Sequence, residues 1–511
     1  MQIKASSDQS KIAVVDYGSQ YAQLIVRRLR ELGYFSRLYN PEEFPDDATI
    51  SAIILSGGPS SVEQENNADL TYQKLLDYEV PILGICYGMQ KLVHETGGSV
   101  QSESGREYGP ARITVAHHDM LFDDIDGDTT VWMSHSDTTI TLPEDARPMA
   151  YGENGSPVAV QWPNQVYGMQ FHPEVSHTED GKTILSNFLS LIPDQADFRM
   201  PDYRDRLIKE IRKTVDGREV VCGVSGGVDS TVLATLLEES GINTQFLFIN
   251  TGLLRYRETK EVQEQFDGLG IDIDVIDASD EFLSELDGVT DPEQKRNRIG
   301  QTFLNVFFEQ AGEVELLAQG TLYPDVIESA SSGSDADRIK THHNQVDSIQ
   351  QLKREGRVLE PLKELYKDEV RELGQTLNIP DRILQRHPFP GPGLAIRLPG
   401  EITERKLDIL RRADHILIET LKESGWYEKC WQTLCVLLPV KTVGVKGDER
   451  SYEHPLAIRS VSSKDGMTAD WSRLPHELLQ TISTRILNQV DGINRVLYDI
   501  STKPPASIEW E

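Results

Sequence analysis

Ser225-Gly226-Gly227-Val228-Asp229-Ser230 follows the apolar run Val220-Val221-Cys222-Gly223-Val224 and precedes Thr231-Val232-Leu233-Ala234-Thr235-Leu236-Leu237. The pattern reads as strand, tight turn and helix, the repeating unit of an α/β sheet. Two glycines let the backbone approach an anion closely. Ser225, Ser230 and the amides that open the helix can donate hydrogen bonds to a pyrophosphate, helped by the helix dipole. No Gly-Lys-Ser/Thr follows, so this is not a Walker loop. Asp229 adds a carboxylate beside the phosphates, a candidate Mg2+ ligand.

A second turn lies upstream, in Pro81-Ile82-Leu83-Gly84-Ile85-Cys86-Tyr87-Gly88-Met89-Gln90. Gly-x-Cys-x-Gly after a strand is the cysteine form of a nucleophile elbow, in which small neighbours let the turn expose one side chain above the sheet. A helix N-terminus stabilises thiolate there. The base is expected from Gln170-Phe171-His172-Pro173-Glu174: in an extended segment residues two apart point the same way, so Glu174 is placed to orient His172. Ser56-Gly57-Gly58-Pro59 follows the apolar run at 52–55 and is a donor loop for an oxyanion. It supplies the Gly58 amide, with the Tyr87 amide as its partner.

Length and composition set the frame. The 511 residues predict about three domains at ~150 residues each, and 38% apolar residues suffice for packed cores. With 51 basic and 82 acidic residues the net charge is −31, which repels nucleic acid and disfavours it as a partner. A salty habitat and plain solubility explain the excess equally well. The four cysteines, Cys86, Cys222, Cys430 and Cys435, form no CxxC pair, which argues against a disulfide framework or a zinc site. Residues 1–10 are polar, unlike a secretory signal. No apolar run approaches the ~18 residues of a membrane span. A reducing cytoplasmic setting suits a free catalytic thiol.

The expected fold class is α/β, with two open, mostly parallel α/β domains followed by a smaller α+β domain. The first occupies residues 1–193, with strands near 12–16, 52–55 and 82–85 and helices near 21–32 and 70–78. Extended segments follow at 129–133, 158–161 and 166–170. The second, 194–386, has parallel-strand candidates at 219–224, 245–250, 272–277 and 316–319 and helices at 257–269 and 301–308. A Pro/Gly-rich break at 386–394 opens the third, 387–511. It carries helices at 405–422 and 475–490 and extended segments at 432–438, 442–445, 456–461 and 495–499.

The second block holds more polar groups than a scaffold needs. Asn250-Thr251-Gly252 ends a strand in a turn where an adenine nucleotide would sit. Lys340-Thr341-His342-His343-Asn344 pairs two histidines, but no third zinc ligand has recognisable spacing. Lys340 reads better as a cation for phosphate charge that develops in a transition state.

The 225–230 loop resembles the PP-loop of ATP pyrophosphatases, which adenylylate a substrate oxygen. Cys86, His172 and Glu174 resemble the triad of class I glutamine amidotransferases, which release ammonia through a thioester. Four more stretches, 317–329, 340–344, 386–397 and Lys503-Pro504-Pro505-Ala506-Ser507-Ile508-Glu509-Trp510-Glu511, make the chain similar to the glutamine-hydrolysing GMP synthetases over nearly its whole length. The resemblance implies Cys86, His172 and Glu174 as glutaminase triad and Ser225, Gly226, Gly227, Val228, Asp229 and Ser230 as ATP site. It implies Arg296, Gln432, Lys503 and Glu509 as ligands of xanthosine monophosphate (XMP), Mg2+ accompanying ATP, and pairing of two chains into a homodimer. The sequence departs from the family at Asn250, where an acid is common, at Ser136, where glycine is usual, and at 344–348, which lacks Val-Gly-Gly-Leu-Pro.

The implied chemistry follows from what ammonia cannot do unaided. The purine C2 oxygen leaves poorly; adenylylation makes it part of AMP, which leaves well. Ammonia must arrive neutral, so it is made within the protein and kept from solvent, and the two sites are expected to communicate. Two rival readings have the same motifs to work with. Another amidating ligase, such as an NAD or asparagine synthetase, shares the PP-loop but sets its cysteine differently. A nucleotide-sensing protein could keep the folds without activity.

Overall fold

The computed structural model describes residues 11–19, 21–59, 61–62, 70–101, 106–118, 120–125, 127–193, 198–322, 346–446, 448–463 and 468–511. The chain divides into two compact units, one ending at Tyr203 and the other running from Arg204 to Glu511.

The first unit is built on strands β1 (Lys11–Val15), β2 (Ser36–Tyr39), β3 (Ile50–Leu55), β4 (Ile82–Ile85), β5 (Ser99–Gln101), β6 (Glu107–Val115), β7 (Asp128–His135), β8 (Thr138–Thr141), β9 (Arg147–Gly152), β10 (Pro157–Trp162) and β11 (Val166–Met169). Nine of them form one sheet in the order β2-β1-β3-β4-β11-β10-β9-β6-β7. Pairing is parallel from β2 to β11 and antiparallel from there to β7. Alternate residues of one strand feed opposite faces. Ile12 and Val14 join the core that packs Ile25, Leu29 and Phe188, while Ala13 and Val15 join the one that packs Leu75, Met89 and Leu92. With both faces covered, the central strands read as unbroken apolar runs. That is why the sequence reveals β1, β3 and β4 and not β6, whose residues alternate between exposed and half-buried over its first half.

The second unit opens with five parallel strands, β12 (Val220–Gly223), β13 (Thr244–Asn250), β14 (Asp274–Asp277), β15 (Leu316–Ala318) and β16 (Val358–Leu359). Their order is β14-β13-β12-β15-β16. The chain leaves β12 on one side and returns to β15 on the other, so the strand order reverses beside the carboxyl end of β12. That is the crevice where open α/β sheets bind ligands. Farther along, the long β19 (Glu449–Ser462) pairs antiparallel with β17 (Gln432–Leu437), β18 (Thr442–Lys446) and β20 (Asp470–Trp471), and parallel with β21 (Ile493–Asp499). One apolar cluster runs from Val221 and Leu247 through Leu410 and Leu417 to Ile458 and Ile486. One helix departs from its expected span of 301–308: it runs Pro292–Ala311, with Asp291 as N-cap accepting from the Gln294 amide at 2.9 Å. The charged run Lys295–Arg298 hides its apolar period, but Asp-Pro ahead of it is a start signal.

Candidate active sites

Cys86 ends β4 and caps the helix Tyr87–Glu95 with φ +54° and ψ −108°, a strained conformation for a residue with a Cβ. The flanking glycines make the turn feasible. A Cβ on Gly84 would lie 2.6 Å from the Gly88 carbonyl carbon, and one on Gly88 would lie 2.4 Å from Leu55 O. The Cys86 amide is pinned to Met169 O at 2.7 Å.

His172 and Glu174 meet as expected, with Nδ1 and Oε1 2.7 Å apart, but not along an extended strand. Pro173 and Glu174 form a turn beyond β11, because proline fixes its own φ and cannot extend the sheet ladder. The turn is tied down by its backbone: Trp132 O accepts from His172 N at 3.0 Å, Thr178 Oγ1 donates to His172 O at 2.6 Å, and Arg28 Nε donates to Glu174 O at 3.0 Å. Tyr21 sits edge-on to the imidazole at 4.8 Å. Burial alone would lower the His172 pKa. The charge of Glu174 and hydrogen bonds with Cys86 and Glu174 outweigh it and raise the value well above 6.5. His172 is therefore a strong proton acceptor beside the thiol. A Cβ on Gly57 would stand 3.2 Å from His172 Cε1 and 3.6 Å from Cys86 Cβ, and one on Gly58 would stand 3.4 Å from the Tyr87 ring. The Gly-Gly backbone thus lies directly against the triad. At the departure point, Ser136 Oγ sits 3.2 Å from the exposed Tyr108 hydroxyl.

In the second unit, Ser225–Ser230 leave β12 and enter the helix Val228–Glu239, with Gly227 as N-cap. Gly226 has φ +72°, and a Cβ there would strike Val262 at 2.3 Å. The serines shape the loop: Ser225 and Ser230 hydroxyls are 3.0 Å apart, and the Gly227 amide donates to Ser225 Oγ at 3.3 Å. Arg386 donates to Gly226 O at 3.0 Å and pairs with buried Glu258. Asp229 Oδ2 holds Lys367 at 2.5 Å, while its Oδ1 is buried with no hydrogen-bond partner. The loop lines a cavity of about 1580 Å³ whose other walls include Thr251, Arg296, Lys367, Arg386 and Phe389. Asn250 braces the turn beyond β13: its amide donates to Asp277 and Ser279 at 3.1 Å and accepts from Gly252 N at 3.1 Å. An ionised acid at 250 could not donate to the Asp277 carboxylate as the Asn250 amide does.

The C-terminal tail is woven into this unit. Arg397, fully buried, grips Glu509 with two hydrogen bonds of 3.0 and 2.8 Å, and Gln432 donates to the same carboxylate at 2.7 Å. Lys295 pairs with the Glu511 carboxylate at 2.5 Å, Arg296 donates to Glu511 O, and Arg459 holds Ile508 O and Ser507 O at 2.9 and 2.8 Å. Arg296, Gln432 and Glu509 therefore gather around the tail. Lys503 is placed by a backbone bridge to Ala469 of 2.8 and 3.1 Å. Ile508 anchors the tail against Val461 and Ala469; Trp510 does not, being 39% exposed with its indole N–H on Asp499. Lys340 and its neighbours through Asn344 lie outside the described residues.

Comparison with known proteins shows the family. Residues 13–191 match the model of the class-I glutamine amidotransferases, and residues 419–510 match that of the GMP synthase C-terminal domain. Over 514 residues the chain is 49% identical to the GMP synthase [glutamine-hydrolyzing] of Thermosipho africanus, covering 98% of this chain and 99% of that relative. The GMP synthase [glutamine-hydrolyzing] of Aquifex aeolicus is 49% identical over 510 residues, with 98% and 99% covered. The solved structure of a glutamine amidotransferase from Thermotoga maritima aligns with 40% of this chain and 86% of its own, at 21% identity and a TM-score of 0.30. The chain belongs to the glutamine-hydrolysing GMP synthases.

As a member of that family it is a ligase with glutamine as amido donor, acting on glutamine, ATP and XMP. The expected α/β class and family stand. Among the described residues no helix is long and apolar enough to cross a membrane. GMP synthase chemistry also draws attention to groups the sequence reading passed over. Lys367 contacts Asp229, Arg386 closes the loop from behind, Arg397 holds Glu509, and Gln170 touches Cys86. Arg386 and Arg397 stand at the ends of the 386–397 stretch and Gln170 opens the Gln170–Glu174 motif, whereas Lys367 carries no local signal.

Proposed function

We propose that Cys86, His172 and Glu174 hydrolyse glutamine through a thioester, and that the ammonia displaces AMP from adenylyl-XMP held at the 225–230 loop. The observation that carries this reading is the presence of both machines in one chain: a cysteine elbow with a His–Glu pair at 2.7 Å, and a Ser-Gly-Gly-Val-Asp-Ser loop at a switch point and cavity wall. His172 takes the thiol proton and later gives it to the leaving nitrogen. The Gly58 and Tyr87 amides are assigned to the oxyanion, which the close approach of the Gly57-Gly58 backbone to the triad supports. The loop amides and serines hold the departing pyrophosphate.

Mg2+ fits Asp229. Its Oδ1 is buried and unpartnered, while no group of three or more metal-ligating side chains occurs among the described residues. One carboxylate with phosphates and water as further ligands is the usual protein share for this ion. When bound, Mg2+ neutralises charge on the departing pyrophosphate. Lys340 is assigned the same task from the protein side.

Arg296, Gln432, Lys503 and Glu509 are assigned to XMP. Residues 1–193 form the glutaminase, 194–386 the ATP pyrophosphatase part, and 387–511 the part that completes the XMP pocket and pairs two chains. Exposed Val443, Val445 and Tyr452 on the β18–β19 hairpin support such pairing. A cytoplasmic location accords with nucleotide synthesis.

Pyrophosphate release in the presence of ATP and ammonium tests the acceptor. XMP supports it on this reading; release with deamido-NAD or aspartate instead identifies a different amidating ligase, and release with none rejects the loop assignment.

A further inference from the structure

The motif Gln170-Phe171-His172-Pro173-Glu174 supplies a base and its partner, but its first residue also reaches the nucleophile. Gln170 is 3% exposed, and its Nε2 lies 3.7 Å from Cys86 Sγ, within hydrogen-bond reach of sulfur. The amide is held in that sense. Gln90 Nε2 donates to the backbone oxygen of Asp137 at 2.9 Å and to Gln170 Oε1 at 3.1 Å. A backbone oxygen only accepts, so the Gln90 amide must present nitrogen to it. The same nitrogen fixes the Gln170 oxygen and leaves the Gln170 NH2 for sulfur. On another side, Ser134 O lies 3.7 Å from Sγ. That carbonyl suits a neutral S–H and repels an anionic sulfur; the Gln170 N–H does the reverse.

We propose that Gln170 is a catalytic residue of glutamine hydrolysis, donating to Cys86 Sγ a hydrogen bond that strengthens as the thiol ionises. The proposal rests on Cys86 being the nucleophile. The S–H bond breaks and its proton passes to His172 Nε2, since Nδ1 is engaged by Glu174. The freed sulfur pair forms the S–C bond to the glutamine amide carbon while the carbonyl π pair moves to oxygen. Return of that pair expels the nitrogen, which takes the proton from His172 and leaves as ammonia. Gln170 acts on the first event, where charge appears on sulfur and a charge-assisted donor gains most.

Among the described residues, the titratable groups that face this sulfur are its base His172, Glu174 behind that base, Tyr21 edge-on to the imidazole at 4.8 Å, and His135 on β7, whose Nδ1 bonds Asp137 O at 2.9 Å and whose pKa burial lowers. All of these persist in a Gln170 variant, so a comparison with the unchanged protein isolates the amide.

The test is the pH dependence of Cys86 alkylation by iodoacetamide in Gln170→Met, with Cys86→Ala as blank for the other cysteines. The half-rise should move up by about one pH unit, the size expected for losing one hydrogen bond to a charged group. Glutamine-dependent GMP synthesis near neutrality should fall about tenfold, with ammonium-dependent synthesis unchanged. Gln170→Glu keeps the side-chain size and the oxygen that Gln90 needs, and decides the matter if the Met variant melts early. Its carboxylate should raise the half-rise at least as far. A variant of native melting temperature with an unshifted alkylation profile and an unchanged glutamine-dependent rate overturns the proposal. Failure of the underlying reading looks different: Cys86→Ala would then still use glutamine.

Discussion

At the scale of single residues, the glutaminase is a matter of where one proton resides. His172 holds its proton more tightly than free imidazole because Glu174 and Cys86 face it in a buried site. The sign for stability follows. A folded-state value raised above 6.5 favours the fold fully below pH 6.5, and that contribution is lost as pH rises through about 10. Glu174→Gln should therefore bring the imidazole titration down, as read by NMR. The stability gap to the unchanged protein should be widest near pH 6 and narrow by pH 10 in urea melts. Glutamine-dependent synthesis should drop by about 10²-fold or more. A gap that widens with pH would mean that Glu174 is not supporting an imidazolium. The triad was legible in the sequence because each member sits in a short motif with its own chemistry. The roles of Lys367, Arg397 and Gln170 were not, because a lone lysine, arginine or amide has no chemistry set by its local motif and each depends on its contact with Asp229, Glu509 or Cys86. Only folding brings such pairs together.

At the scale of elements, glycines set how closely strand and helix approach. A Cβ at Gly88 has no room beside Leu55 O, so Gly88→Ala should cost roughly 1–3 kcal/mol. Thermal unfolding of the first unit should shift by about 2–4 °C per kcal/mol, with slower alkylation of Cys86; an unshifted melt would show that the elbow tolerates a wider turn. The tail is the second such element. Removing residues 503–511 would leave Lys295, Arg397 and Arg459 without their tail partners, and unpaired buried charge is costly, so truncation confounds binding with folding. Glu509→Gln is cleaner: it keeps the volume and an oxygen for Arg397, and Asp414 remains 3.9 Å away. The apparent KM for XMP should rise about tenfold or more, equivalent to about 1.4 kcal/mol. Glutamine hydrolysis without XMP should stay within about twofold, because the Glu509 carboxylate is held by Arg397 and Gln432 of its own unit. An unchanged KM removes Glu509 from the XMP pocket. Elements buried on both faces were readable as apolar runs. The antiparallel half of the first sheet was only partly so, since β6 and β9 carry mixed, half-exposed sequences. The segment from 323 to 345, with Lys340, lies outside the described residues.

At the scale of the whole molecule, the chain folds into two compact units, and on the proposed reading each carries one half of the reaction. The acidic surface, net −31, suits small-molecule traffic better than binding to nucleic acid. The 49% identity to glutamine-hydrolysing GMP synthases over 98% of the chain makes the overall reaction secure. The assignments at both sites depend on how the labour is divided between the units. GMP formation from XMP and ATP by Cys86→Ala decides this, measured once with glutamine and once with ammonium chloride as nitrogen source. Glutamine-dependent formation should vanish and ammonium-dependent formation should match the unchanged protein; equal loss of both, in a protein with an unchanged melting profile, would contradict the division.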